Sequence, residues 1–140
     1  MALLTYPGPW RIMMCDFDTG FQPPEIVKRR PVVTISRKRN DDAPLCTVIP
    51  ISSTRPDVIR DFHYLLPADQ LPPHLQGKFQ ENWVKIDLIQ TVGFFRLDLP
   101  WAGRNYMGRR IYFTTPVSQE HRAEIYRRII ERLAWAQVDL

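Results

Sequence analysis

Long apolar runs are missing from this 140-residue chain, and so is the charged start followed by a long apolar stretch that marks a secretory signal. A membrane-spanning helix needs about 20 consecutive apolar residues, so none is expected. We therefore expect a cytoplasmic protein that makes no contact with a membrane. The length suits one domain, residues 1–140, with a hydrophobic core of its own.

Cysteine and histidine are also scarce. The two cysteines, Cys15 and Cys46, stand in apolar runs, and the three histidines lie in unrelated contexts. No CxxC pair or Cys/His pair at metal-binding spacing is present, so no metal is expected. The GxGxxG, P-loop and HExxH patterns are absent, which leaves NAD, ATP and zinc chemistry without support, and no cofactor is expected. A serine hydrolase is weakly supported because there is no GxSxG.

Proline, by contrast, is abundant: 13 prolines fall between short apolar runs. Proline marks loops and strand edges, so the first two thirds of the chain are predicted to be rich in strands. Alternating or β-branched runs predict strands at 11–17, 31–36 and 46–52, one or two strands within 83–97, and a short last strand within 109–115. A short helical turn is expected near 68–76.

The C-terminal segment has a different period. Apolar residues recur at helical spacing, and Thr115 or Ser118 can cap a helix whose first turn suits Pro116. The stripe is typical of core packing and comprises Ile125, Tyr126, Ile129, Ile130 and Leu133. The prediction is a mostly β (α+β) fold: a small antiparallel barrel at about 8–114 with a C-terminal helix at about 116–136.

Three polar clusters interrupt the apolar strands. The first places Glu25, Lys28, Arg29 and Arg30 before the strand PVVTIS. Pro31 removes a backbone N–H and favours an extended conformation for the arginine before it. The cluster is either a solvated charge run or an anion site. The formal charge of +4 permits nucleic-acid binding without requiring it.

The other two clusters follow later strands. Ser52, Ser53 and Thr54 come after a strand, where hydroxyls either form a turn or bind phosphate. Lys85 and Asp87 are two residues apart, so we expect both to project from the same strand face. They either form a weak surface ion pair or supply a cation and a proton acceptor.

In this order, the segments PEIVKRRPVVTIS, TVIPISSTRP and NWVKIDLIQTVGFFRLD resemble the MazF/PemK toxins of type II toxin–antitoxin systems, and the PemK-like branch in particular. The resemblance runs from about Gly8 to Asp98 and does not inform the segment WAGRNYMGRR. It implies an SH3-like, plasmid-maintenance-toxin barrel that forms a homodimer. It also implies a metal-independent endoribonuclease that cuts single-stranded mRNA at short sequences, leaving a 2′,3′-cyclic phosphate and a 5′-hydroxyl.

The resemblance also implies roles for particular residues. Arg30 would stabilise the charged phosphorane and donate a proton, and Ser52 would orient the scissile phosphate. Asp87 is the candidate base, and Glu25 matches the loop glutamate of the family. The RNA-binding candidates are Lys28, Arg29 and Lys85 for flanking phosphates, with Ser53 and Thr54 beside Ser52. Phe17 and Phe21 are either platforms for stacking on bases or, as aromatic residues more often are, buried in the core.

The implied partners are single-stranded RNA and a cognate antitoxin, a small protein whose tail covers the active groove. Operator DNA would be reached through the antitoxin complex. A different class of function uses the same barrel: a non-catalytic module that binds nucleic acid or a protein, as the gyrase-poisoning relatives of this fold do. Such a binder would not need the pair Arg30 and Ser52.

Overall fold

The computed structural model describes residues 3–77 and 81–133. None of the helices in these ranges is long and apolar enough to cross a bilayer. The strands are β1 (Ile12–Asp16), β2 (Arg29–Thr34), β3 (Leu45–Ser52), β4 (His63–Leu65), β5 (Trp83–Lys85), β6 (Gln90–Gly93), β7 (Leu97–Asp98), β8 (Trp101–Arg104) and β9 (Arg110–Tyr112), and the helix is α1 (Gln119–Arg132). Four 3₁₀ turns lie at Ala68–Gln70, Pro73–Leu75, Ile86–Leu88 and Phe94–Arg96.

Seven strands form one antiparallel sheet in the order β4-β5-β3-β2-β1-β7, with β6 also paired to β3. This confirms the predicted class, a mostly antiparallel sheet followed by a C-terminal helix. The sheet has two ends, β4 and β7, that are not paired with each other. The predicted barrel is therefore open rather than closed.

Strand β3 is central to the sheet: β2 pairs with one of its edges, and both β5 and β6 pair with the other edge. Val48 of β3 pairs with Gln90 of β6. If this register continued along β3, Ile51 would pair with Asp87. Instead, Ile51 pairs with Val84 of β5. Three extra residues are thus accommodated between β5 and β6, and they form the 3₁₀ turn Ile86–Leu88. The predicted strand region 83–97 is therefore broken into short strands by this turn and by the turn Phe94–Arg96.

Both faces of the central strands are buried, which explains why β2 and β3 read as continuous β-branched runs. Val33 and Ile49 face the helix side and pack in one cluster with Ile125 and Ile129 of α1. The other face packs against the loop before β2 and the segment that contains β6 and β7. Its buried residues are Met13, Cys15, Phe17, Ile26, Val32, Cys46, Val48, Val92 and Leu97.

The helix begins later than the sequence predicts. Ser118 is the N-cap residue, as one of the two predicted caps, but Pro116 forms an isolated bridge with Arg11 instead of entering the first turn. The predicted end at 136 lies outside the described residues. Only part of the predicted apolar stripe packs in the core. Ile125 and Ile129 are buried, while Tyr126, Ile130 and Leu133 are about half exposed.

Candidate phosphate site at the ends of β2, β3 and β5

The register of the sheet puts Arg30 and Ser52 at the same end of neighbouring strands. The pairing of β2 with β3 ends at Val32 and Pro50, and Arg30 and Ser52 each lie two residues beyond this last pair. On its other side β3 pairs Ser52 directly with Trp83, and β1 pairs Cys15 with Arg30. Directly opposed residues have Cβ atoms about 5 Å apart. The pairs Cys15–Arg30 and Ser52–Trp83 therefore lie at the same end of the sheet, and these four residues are called the row below.

Arg30 is held by its backbone and by one side-chain bond. It is the second residue of β2, ahead of the rigid Pro31, and its Nε donates to the carbonyl oxygen of Val27 at 2.6 Å. Within the described ranges, its two terminal nitrogens donate to no protein atom. A guanidinium fixed through Nε presents those N–H groups as a fork that matches phosphate oxygens. Half-buried Arg30 is thus suited to bind an anion in a defined orientation.

Ser52 provides the second polar group of the row. It is buried, and its Oγ accepts a hydrogen bond from the backbone N–H of Thr54 at 3.1 Å. This is the turn geometry that hydroxyls commonly adopt after a strand, and it leaves the hydroxyl proton of Ser52 available to a ligand. Ser53 and Thr54 are exposed beside it, so all three predicted hydroxyls lie at the same strand end.

Trp83 was missed by the sequence analysis. Its indole Nε1 is buried and has no hydrogen-bond partner among the described residues, while its neighbour across the strands is Ser52. Most buried N–H groups in proteins have a hydrogen-bond partner, so a buried N–H group without one is unusual. The only sequence signal was an aromatic residue at the start of a strand. Its place beside Ser52 depends on the pairing of β5 with β3, which is non-local.

Lys85, Asp87 and His63 form a second group beside this row. Lys85 lies two residues after Trp83 on the same strand face and pairs with His63 of β4. The expectation that Asp87 shares that strand face is wrong, because β5 ends at Lys85 and Asp87 lies in the turn Ile86–Leu88. The carboxylate is still nearby, and its Oδ1 is buried without a hydrogen-bond partner in the described part of the chain.

The charges of Asp87 and Lys85 are close enough to His63 to affect its pKa. Burial is the main reason that its pKa is lowered; the Asp87 carboxylate opposes the shift, and the Lys85 cation adds to it. His63 Nδ1 accepts a hydrogen bond from the backbone N–H of Arg60 at 3.1 Å, so the neutral ring carries its proton on Nε2. His63 was not expected in the site, because β4 was not predicted.

Arg29 does not join Arg30, although the two are adjacent. Successive strand residues project to opposite faces, and Arg29 Nη1 makes an ion pair with Asp98 Oδ2 at 2.8 Å. Lys28 lies before β2 with a positive φ of 74° and is exposed. The triplet of cations is therefore divided between a braced arginine, an ion-paired arginine and an exposed lysine.

Two predicted stacking residues differ in accessibility. Phe17 is fully buried, so the interpretation of its ring as a platform for bases is wrong for this structure. Phe21 is half buried, with its ring edge-to-face against Phe17 at 5.3 Å between centroids and the Arg96 guanidinium 4.7 Å from its centre. Glu25 is exposed in the loop before β2, where its carboxylate accepts the N–H of Gln22 at 3.4 Å, and it does not bond to Arg30.

The thiol in the row does not offer a nucleophile. Burial is the largest cause that raises the pKa of Cys15 to about 12, so the thiol is protonated at neutral pH. Within the ranges 3–77 and 81–133, no group of three or more His, Cys, Asp or Glu side chains is placed to hold a metal ion. The groups that remain for chemistry are the guanidinium, the hydroxyl, the indole N–H, and the neighbouring carboxylate and imidazole.

The ion pair between Arg29 and Asp98 predicts an acid-sensitive contribution to stability. Burial is the largest single influence on the pKa of Asp98 and raises it, whereas the hydrogen bond and charge of Arg29 lower it, and the net pKa is lowered. A lowered carboxyl pKa stabilises the fold above the unfolded value of about 4 and loses that effect as pH falls through the folded value. We expect Asp98→Asn to lower the free energy of unfolding at pH 7 and to have little effect near pH 2.

Urea unfolding at both pH values measures this prediction, with Asp57→Asn as the control. Asp57 is an exposed carboxylate for which the described residues show no ion pair. A deficit in Asp98→Asn that persists at low pH, or that Asp57→Asn reproduces, would contradict the assignment.

Comparisons with known proteins assign the chain to a family. The model of the PemK-like, MazF-like toxins of type II toxin–antitoxin systems matches residues 9–131, and the chain belongs to this family. It is 34% identical over 128 residues to the uncharacterized protein YifN of Escherichia coli K12, covering 90% of this chain and 78% of that protein.

Solved structures share the fold at lower sequence identity. MazF from Deinococcus radiodurans superposes with a TM-score of 0.60 at 20% identity, covering 91% of this chain and 96% of that one. A mycobacterial endoribonuclease in complex with its cognate antitoxin gives 0.57 at 18%, with coverages of 94% and 100%. Mycobacterium tuberculosis toxin MazF-mt6 gives 0.56 at 20%, with coverages of 89% and 99%.

Proposed function

We propose that this chain is a metal-independent endoribonuclease, the toxin of a type II toxin–antitoxin pair, and that it cleaves single-stranded mRNA in the cytoplasm. One observation carries the proposal: a guanidinium held through Nε, with its terminal nitrogens unused by the described residues, lies at the same end of the sheet as a buried hydroxyl, each two residues beyond the last pair of β2 with β3. Family membership supports the same activity.

The proposed reaction is attack by the RNA 2′-hydroxyl on the adjacent phosphorus. A base takes the 2′-hydroxyl proton, the new O2′–P bond forms, and the P–O5′ bond breaks as the 5′-oxygen is protonated. The products are a 2′,3′-cyclic phosphate and a 5′-hydroxyl. No oxidant, metal or cofactor enters this balance.

Each residue acts on one part of this reaction. Arg30 stabilises the negative charge of the phosphorane and supplies the proton of the leaving oxygen, and Ser52 orients the phosphate through its hydroxyl. Asp87 is the proposed base because it matches the catalytic aspartate of some family members; its Oδ1 is buried and makes no hydrogen bond within the described ranges. Lys85, Lys28, Ser53 and Thr54 line the approach of the flanking nucleotides, and Glu25 belongs to the loop above them.

The partners follow from the same proposal. We propose that two copies form a homodimer, and that a cognate antitoxin covers the site with an extended tail. The solved mycobacterial endoribonuclease of this fold is bound to its antitoxin, which supports a partner of that kind. Operator DNA would be contacted through the toxin–antitoxin complex.

Incubation of the purified protein with mixed-sequence RNA in the presence of EDTA tests the activity. We expect fragments whose 5′ ends are labelled by polynucleotide kinase without prior phosphatase treatment, because the cleavage leaves a 5′-hydroxyl. Intact RNA under these conditions would overturn the proposal. Growth arrest that survives Arg30→Ala while cellular RNA stays intact would instead favour the non-catalytic, gyrase-poison-like binder.

A further inference from the structure

A separate two-stranded hairpin follows the main sheet, beyond the three sequence segments that carry the resemblance but within the residues 9–131 that the family model matches. Trp101 pairs with Tyr112 and Arg104 pairs with Arg110, which joins β8 and β9 outside the seven-stranded sheet. The base of the hairpin is fixed by hydrogen bonds. The Trp101 carbonyl bonds with His74 Nδ1 at 2.8 Å, and the Phe113 N–H donates to the Pro100 carbonyl at 2.8 Å.

The tip of this hairpin is ordered by its own side chains. Asn105 Oδ1 accepts the backbone N–H groups of Met107 at 2.9 Å and Arg109 at 3.0 Å, and Gly108 takes the positive φ of 77° that closes the turn. This bonding leaves Tyr106 almost entirely in solvent, with 97% of its surface exposed. A large aromatic ring is thus presented on a turn whose conformation is already fixed.

The charge of the hairpin has one sign. Between Asp98 and Glu120 the sequence contains no Asp or Glu but has Arg104, Arg109 and Arg110. Arg104 and Arg110 are directly opposed across the strands, an arrangement of like charges that destabilises a sheet. Arg104 Nη1 is held by the Gly108 carbonyl at 2.8 Å. Within the described ranges, none of the three arginines makes an ion pair with a carboxylate.

We propose that the hairpin Trp101–Tyr112 is a binding site for single-stranded RNA, in which the three arginines hold phosphates and Tyr106 stacks on a base. The proposal rests on the proposed function, because it assigns the hairpin to the same RNA class as the substrate. A polyanion relieves the repulsion between Arg104 and Arg110. An exposed ring between cations is the combination that binds single strands without sequence preference.

An acidic peptide is the other polyanion to consider, and the tip argues against it. Peptides added to a sheet edge are held by main-chain hydrogen bonds, which make no use of the Tyr106 ring. Single-stranded RNA uses both features, since every base has a face that stacks on an aromatic ring. The hairpin therefore fits RNA better than a peptide strand.

Binding is measured by fluorescence anisotropy with a mixed-sequence 2′-O-methyl oligonucleotide, which lacks the attacking hydroxyl and stays intact. Removal of two charges in Arg104→Gln/Arg110→Gln should weaken binding about tenfold or more at low salt and should lower the salt slope by roughly 0.7 for each lost phosphate contact. The matched control is Arg127→Gln/Arg132→Gln, which removes the same charge from α1 and should change binding little.

The tip is tested independently of the strands. Tyr106→Ala should weaken binding about 5- to 100-fold by loss of stacking, and Tyr106→Phe should restore it. Tyr106 makes almost no contact with the fold, so both variants should keep the wild-type circular dichroism. Unchanged affinity in Tyr106→Ala and in the double arginine variant would overturn the proposal. Equal weakening by the α1 control would overturn it as well.

Two further outcomes separate this proposal from its alternatives. If the hairpin variants bind RNA normally but lose binding to a polyglutamate peptide, the site belongs to an acidic peptide and the RNA proposal is overturned. If wild-type protein cuts no RNA while the hairpin variants still lose oligonucleotide binding, the cleavage proposal fails and the hairpin proposal stands.

Discussion

Arg30→Ala is expected to lower RNA cleavage by about 10²- to 10³-fold, the usual effect of removing a donor that stabilises transition-state charge. The reason is geometric: the guanidinium is held by Nε at the Val27 carbonyl, and its terminal N–H groups remain for the phosphate. Single-turnover cleavage of a labelled RNA measures the effect. Arg30→Lys should remain well below wild type, because an ammonium cannot reproduce the two-pronged contact.

The matched control is Arg29→Ala, which removes the same charge one residue earlier in the same strand. Arg29 projects to the other face of β2 and pairs with Asp98, so its loss should reduce cleavage by less than about tenfold, the scale of one exposed charge contact. Equal losses in both variants would show that only the net charge matters. Full activity in Arg30→Ala would remove Arg30 from the chemistry altogether.

The positions of the first three strands along the chain were predictable from the sequence because local signals agree there. β-branched runs mark β2 and β3, and prolines mark the loops between short strands. The helix also followed from its period. Its start was misplaced because Pro116 suits a first turn, yet the bridge between Pro116 and Arg11 keeps that residue in extended backbone and moves the cap to Ser118.

The position of Asp87 could not be predicted from alternation. The run WVKIDLI alternates as a strand would, so nothing local distinguishes a strand from a 3₁₀ turn after Lys85. The turn exists because β5 and β6 share one edge of β3 with three residues to spare. Register between distant strands sets that number, and a single sequence does not report it.

The row at the strand ends shows the same limit. Arg30 and Ser52 were each identified from their motifs, but their common position at one end of the sheet depends on the pairing of β2 with β3. Trp83 and His63 were not identified because only the pairings of β5 with β3 and β4 give them their neighbours. The burial of Phe17 in the core similarly depends on contacts far along the chain.

The second large effect concerns the helix, where two isoleucines five residues apart should behave differently. Ile125 is fully buried, whereas Ile130 is about half exposed. Ile125→Ala should lower the free energy of unfolding by about 2–5 kcal/mol, because it removes buried surface and leaves a cavity. Ile130→Ala makes the same change of side chain at a solvated position and should cost well under about 1 kcal/mol.

Urea denaturation of both variants, with the slope checked against wild type, measures the difference. Similar values for the two would mean that α1 does not pack on the sheet through the Ile125 side. The helix also contacts the turn Ile86–Leu88, so loss of Ile125 loosens the support beneath Asp87. If Asp87 is the base, Ile125→Ala should slow cleavage at a temperature where the variant is still folded, whereas Ile130→Ala should leave the rate unchanged. If the helix only covers the core, Ile125→Ala should lower the free energy of unfolding without slowing cleavage.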